Sequence, residues 1–290
     1  MHSTVIITII IIIWCILPYD YSHIQRTTHC DTNTENREKY LLFPMFTIKS
    51  GSGLGNQLFE IFALLGTAQT LNRTAIFNKK DWFLNFRLRN VRRKIPKIAE
   101  QVASMDIEPS ESVRYINSPA CCEYNFPHML SCEQSKFLVI EGSFFQSYKY
   151  FSTMESIIHE WLTPYGDELD EVERMIAQQD FEKHKICVHI RRGDFVTDGH
   201  HAGTEKEFTS KAINYLYKLT PSSTFGWWLG YLSRNQTSVY YRDIREVDDP
   251  VKYEMIEDDF YPLQWNKLGL DHNGTIVLKR QQPTQDLLNR

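Results

Sequence analysis

Hydrophobic and polar positions divide the chain into clear stretches. Val5 to Leu17 is an almost unbroken apolar run without a charged side chain. Tyr19 to Tyr40 is polar and without apolar period. From Leu41 the pattern becomes that of a folded domain. Leu41 to Ile48 is continuously apolar apart from Pro44 and Thr47, which predicts a buried strand. A glycine loop follows at residues 51–55. Asn56 to Leu71 then places Leu58, Phe62 and Leu65 on one face, with Phe59 and Ala63 beside them, which predicts a buried helix. Thr74 to Phe77 is the next predicted strand. Strand, glycine loop, helix, strand is the opening of an α/β unit with a parallel sheet.

Further along, Asp81 to Arg93 is aromatic and basic, the composition of a solvated face or a local contact for an anion. Residues 104–135 look irregular, with three prolines and a cysteine cluster. Phe137 to Ile140 predicts another strand; Met154 to Leu162 and Asp167 to Gln179 predict helices. A second unit opens at the predicted strand Lys185–Ile190. Thr204-Glu205-Lys206-Glu207 is a capping box that starts a helix to Leu219. Pro221 ends that helix, and Gly226 to Leu232 begins another. Ser238–Tyr241 and Thr275–Leu278 are the remaining convincing strands.

The length, 290 residues, allows one large domain or two modest ones. A hydrophobic content of 42% suffices for a core, and a net charge of −4 argues against a nucleic-acid partner. Residues 1–18 read as a signal h-region or a signal anchor: the apolar run is short for a span of about 20 residues, and the anchor is favoured because no small-residue cleavage site follows it. Residues 19–40 read as a stem, 41–183 as a first α/β half and 184–290 as a second. This order predicts a single-pass type II membrane protein whose folded part is lumenal. Asn72, Asn235 and Asn273 each head an acceptor triplet for N-glycosylation. Of six cysteines, Cys30, Cys121, Cys122 and Cys132 are the ones an oxidising lumen favours as disulfides. No C-x-x-C pair suggests a metal site.

Three constellations carry chemistry. His189-Ile190-Arg191-Arg192-Gly193-Asp194 joins a strand end to two guanidiniums and a carboxylate. Ligands bind at the carboxyl ends of strands in open α/β sheets, and a planar guanidinium suits a diphosphate. A surface salt-bridge cluster would have the same spacing. Ser222-Ser223-Thr224 precedes the helix at Gly226, where hydroxyls and free N–H groups favour an anion; an ordinary N-cap reads the same way. Gly51-Ser52-Gly53-Leu54-Gly55-Asn56-Gln57 fits neither the dinucleotide nor the phosphate-loop fingerprint. Its glycines, Gly53 and Gly55 above all, allow close backbone approach, with Asn56 and Gln57 lining a cleft.

Taken together and in this order, Gly53 to Phe59, His189 to Asp194 and Ser222 to Trp228 resemble the three signature blocks of the α-1,2-fucosyltransferases. The resemblance covers roughly Phe46 to Leu232. It implies a GT-B architecture, two Rossmann-like halves facing a cleft, and a Golgi membrane enzyme that uses GDP-fucose as donor and a β-galactoside glycan as acceptor, with no separate cofactor. It implies that Arg191 and Asp194 are catalytic, with Arg191 on the β-phosphate. His189, Arg192, Ser222, Ser223 and Thr224 join them around the donor. No D-x-D triplet occurs, which argues against a manganese-dependent transferase, so no metal is expected. One departure stands out. The helix ending at Leu219 runs straight into the third block, whereas a parallel sheet needs further crossovers. The resemblance implies a missing segment on the order of 50 residues, and so a second half that is incomplete.

Overall fold

The computed structural model describes residues 38–108, 111–118, 121–163, 170–171, 174, 188–190, 203–216 and 224–279. The apolar run 5–17, the stem to residue 37, Arg191–Asp194, Ser222 and Ser223 lie outside the described residues, as does most of the helix expected at Asp167–Gln179. Among the described residues no helix is long and apolar enough to cross a membrane.

Strand β1 (Tyr40–Leu42) is the centre of a five-stranded parallel sheet. The chain leaves it through helix α1 (Phe46–Ser50) and helix α2 (Leu54–Thr70), and returns as β2 (Thr74–Asn78). Helix α3 (Trp82–Lys94) and the short α4 (Pro96–Ala99) lead to β3 (Ala103–Met105). Strands β4 (Val113–Asn117) and β5 (Phe137–Glu141) complete the sheet in the order β3-β2-β1-β5-β4. Tyr40 pairs with Thr74 on one side and with Phe137 on the other. All pairings are parallel, so the loops leaving Leu42, Asn78, Met105, Asn117 and Glu141 share one edge. That carboxyl edge is where such sheets bind ligands.

A 3-10 stretch (Tyr148–Met154) leads into helix α5 (Glu155–Leu162). After it come α6 (Lys206–Leu216) and α7 (Thr224–Tyr231). Strand β6 (Tyr240–Arg242), the one-turn helix α8 (Glu257–Phe260), β7 (Asn266–Leu270) and β8 (Ile276–Lys279) close the described chain. β7 is the middle strand of a second, three-stranded sheet, parallel to β6 and antiparallel to β8.

The continuous strand expected over Leu41–Ile48 stops at Leu42. Met45 takes a left-handed φ of 54°, and residues 46–50 turn into α1. The cause is tertiary. The buried carboxylate of Glu60 on α2 accepts from the backbone N–H of Phe46 (2.7 Å) and of Thr47 (2.8 Å), satisfying two helix-start donors. Burial pushes the Glu60 carboxyl up, and the Thr47 donors and Lys49 only partly offset this.

The principal core runs through both sheets' surroundings. Phe59 and Phe62 of α2 are fully buried, and their rings lie 4.6–5.3 Å from those of Trp227 and Trp228 on α7. Phe151 and Phe260 join the same cluster. Each such ring withdrawn from water contributes about 2–3 kcal/mol. The double tryptophan of the third sequence block is therefore packing, anchored by Trp227 Nε1–H donating to the Phe260 carbonyl (2.7 Å).

Candidate functional site

The site begins where α2 begins. Gly53 is its N-cap, and its carbonyl accepts the N–H of Asn56 (3.0 Å) and of Gln57 (3.3 Å). Gly53 is exposed, and a Cβ there would meet nothing. Gly55, two residues further on, is buried. A Cβ at Gly55 would lie 2.6 Å from the carbonyl carbon of Thr224 and 2.7 Å from the backbone nitrogen of Phe225. Only glycine lets the start of α7 come this close. The Gly55 carbonyl accepts the indole N–H of Trp228 (3.0 Å), a second tie between the same two elements.

The first and third sequence blocks are thus in direct backbone contact. The second block reaches them through His189, whose ring is 5.7 Å from that of Phe225. The structure brings Gly55, Thr224 and His189 together. Gly53, Asn56 and Gln57 form the adjoining turn, although the Gln57 amide folds back to donate to the Ser52 carbonyl (2.6 Å).

Sequence reasoning missed Gln146. Its amide N–H donates to Asn56 Oδ1 (3.0 Å), and its Oε1 accepts from the Cys122 thiol (3.4 Å). Gln146 sits in the loop that leaves β5, after Phe144 and Phe145, both at positive φ (68° and 47°). Such backbone in non-glycine residues is held only by surrounding structure. Here Phe145 is stacked on Phe43 at 4.2 Å, and Phe144 meets Phe46 edge-on at 5.4 Å. The available signal was a lone amide side chain after two phenylalanines just past a predicted strand.

The cysteine expectation needs correction. Cys121 and Cys122 are free thiols, and Cys132 is disulfide-bonded. The hydrogen bond between the neighbouring thiols holds Cys121 below the ordinary thiol range, and the same bond together with burial pushes Cys122 up. Cys122 is engaged with Gln146 instead of a bridge. Asn72, Asn235 and Asn273 are all exposed.

The fold defines an α/β protein with a glycine turn at the carboxyl edge of a parallel sheet. No family model matches the chain, and no solved structure matches it. Relatives of known designation do. A galactoside 2-alpha-L-fucosyltransferase of Caenorhabditis elegans is 44% identical over 317 residues, covering 90% of this chain and 89% of the relative. A second protein of that designation in the same organism is 30% identical, covering 83% and 80%. A putative galactoside 2-alpha-L-fucosyltransferase, also of Caenorhabditis elegans, is 26% identical over 299 residues. The chain belongs to the galactoside 2-alpha-L-fucosyltransferase family. Ninety per cent of 290 residues is about 261, so roughly 56 of the 317 matched positions have no residue of this chain opposite them.

Proposed function

We propose that this chain transfers L-fucose from GDP-fucose to the 2-hydroxyl of a terminal β-galactoside, with inversion at the anomeric carbon. The observation that carries the reading is the junction at Gly55. Two sequence blocks 169 residues apart, Gly55 and Thr224, meet through backbone atoms beside His189. The 44% identity to a galactoside 2-alpha-L-fucosyltransferase supports the same activity.

In this reading Arg191 binds the β-phosphate and Arg192 supports it, with Asp194, Ser222, Ser223 and Thr224 completing the donor site. As the bond to GDP breaks, charge grows on the diphosphate while the sugar carbon gains oxocarbenium character. Guanidiniums fixed in advance stabilise that charge without reorganising. Asn56, held by Gln146, lines the acceptor side. The surrounding architecture is GT-B-like, two Rossmann-like halves of which the second is shortened. The N-terminal apolar run anchors the protein in the Golgi membrane with this domain in the lumen, where Asn72, Asn235 and Asn273 carry glycans.

A second reading is favoured by the roughly 56 unmatched positions: a chain that binds nucleotide without transferring sugar. Calorimetric titration with GDP, run beside a fucosyl-transfer assay on a β-galactoside, tests both. Binding with transfer supports the enzyme, and binding without transfer supports the second reading. Arg191→Ala should weaken GDP at least about tenfold, the loss of one charge-assisted contact. Undiminished GDP affinity in that variant would remove Arg191 from the donor site.

A further inference from the structure

Helix α3 presents an outer face that packing leaves unexplained. Its inner face, Leu84, Leu88 and Val91, is buried. Its outer face carries Trp82 at 76% exposure, Phe86 at 51% and Phe83 at 40%. Trp82 and Phe83 meet edge to face at 5.6 Å, and the Arg89 guanidinium lies 4.8 Å over the Phe86 ring. Arg92, Arg93 and Lys94 continue the exposed surface. Between residues 79 and 97 there are eight Lys and Arg and one acid, in a chain whose net charge is −4. Scattered exposed aromatics need no explanation, but three within five residues on one cationic helix form a patch of the kind that binds.

The helix that carries this patch lies beside the glycine turn. α3 starts just past the carboxyl end of β2, on the same sheet edge as the glycine turn. Three contacts fix the two together. Lys49 pairs with Asp81, the N-cap of α3, at 2.6 Å. Arg87 Nε–H donates to the Ile48 carbonyl (3.3 Å). The Arg87 guanidinium also lies against Gly51, whose φ of 76° and lack of a Cβ leave it room. Past Gly51, the exposed Gly53 opens on free space.

We propose that the outer face of α3 is the acceptor platform and that it selects anionic glycans. This rests on the transferase reading above. Sugar rings present C–H faces that stack on Trp82 and Phe86, and guanidiniums pair with a sulfate or carboxylate further along the chain. From Trp82 to Arg93 the helix runs about 16 Å, long enough for more than one sugar.

The test uses the full chain and two acceptors, N-acetyllactosamine and the same disaccharide sulfated on its N-acetylglucosamine. The sulfated acceptor should have the lower KM. Trp82→Ala should raise KM for both about tenfold while GDP affinity by calorimetry stays at the wild-type value. The pair Arg89→Gln and Arg93→Gln should bring the two KM values within about twofold of each other. Equal KM values in the wild type, or a Trp82→Ala KM at the wild-type level, would overturn the proposal. So would loss of binding to phosphatidylserine vesicles in these variants with acceptor kinetics intact, since the face would then be a membrane contact. A wild type that neither binds GDP nor transfers sugar sinks the enzyme reading instead. Direct titration with the sulfated disaccharide then decides the platform, and absence of Trp82-dependent binding overturns it.

Discussion

Gly55 has two neighbours that no side chain could share, the carbonyl of Thr224 and the amide of Phe225. Gly55→Ala forces α2 and α7 apart, an overpacking that costs about 1–3 kcal/mol. Gly53→Ala adds a methyl to open space at an ordinary φ of −55°, and should change stability by no more than about 0.5 kcal/mol. Urea unfolding of the two variants should separate them by that difference; equal midpoints would contradict the contact. The glycine motif was visible in the sequence, but the division of labour within it was not. Which glycine is open and which is crowded depends on a helix 169 residues away. Gln146 was hidden for the same reason, since its importance lies in reaching Asn56, 90 residues earlier in the chain.

Helix α3 shows how local charge holds an element in place. Burial alone would raise the Asp81 carboxyl, but Lys49 and the N–H groups of Leu84 and Phe83 outweigh it and hold it below the ordinary aspartate value of 3.8. A carboxyl depressed in the folded state contributes stability that is present above the unfolded value and is lost as pH falls below it. Stability should therefore drop as pH falls from 3.8, and Asp81→Asn should flatten that part of the profile. A mutant profile parallel to wild type under acid denaturation would show that the pair is inert. The same helix reads from sequence as merely basic and aromatic, because its three buried positions are outnumbered by its exposed ones. β4 was concealed as well. It is an edge strand with no fully buried residue, set between prolines. β7 has the sequence Asn-Lys-Leu-Gly-Leu, poor in strand formers, and its Lys267 is buried only because Glu257 pairs with it at 2.9 Å. By contrast α2, β2 and β5 followed directly from their apolar periods.

For the molecule as a whole, one hydrophobic cluster joins residues near both ends of the described chain, from Leu41 to Trp265. Residues 34–282 form one compact unit in consequence. Trp228→Ala removes a ring that packs on Phe59, Phe62 and Phe151, and should cost about 3–5 kcal/mol. Tryptophan fluorescence and far-UV circular dichroism should then shift to lower temperature together; a fluorescence change without loss of sheet signal would mean that α7 detaches independently. The α/β class could be read from the sequence. The shared core could not, since it joins residues that periodicity treats separately.

The junction at Gly55 also limits how this scaffold can diversify. The turn seats the Trp228 indole and the start of α7, so altering it disturbs the interior. New specificities are accordingly easier to reach through exposed side chains such as Trp82 and Phe86, which border the same edge and take no part in the core.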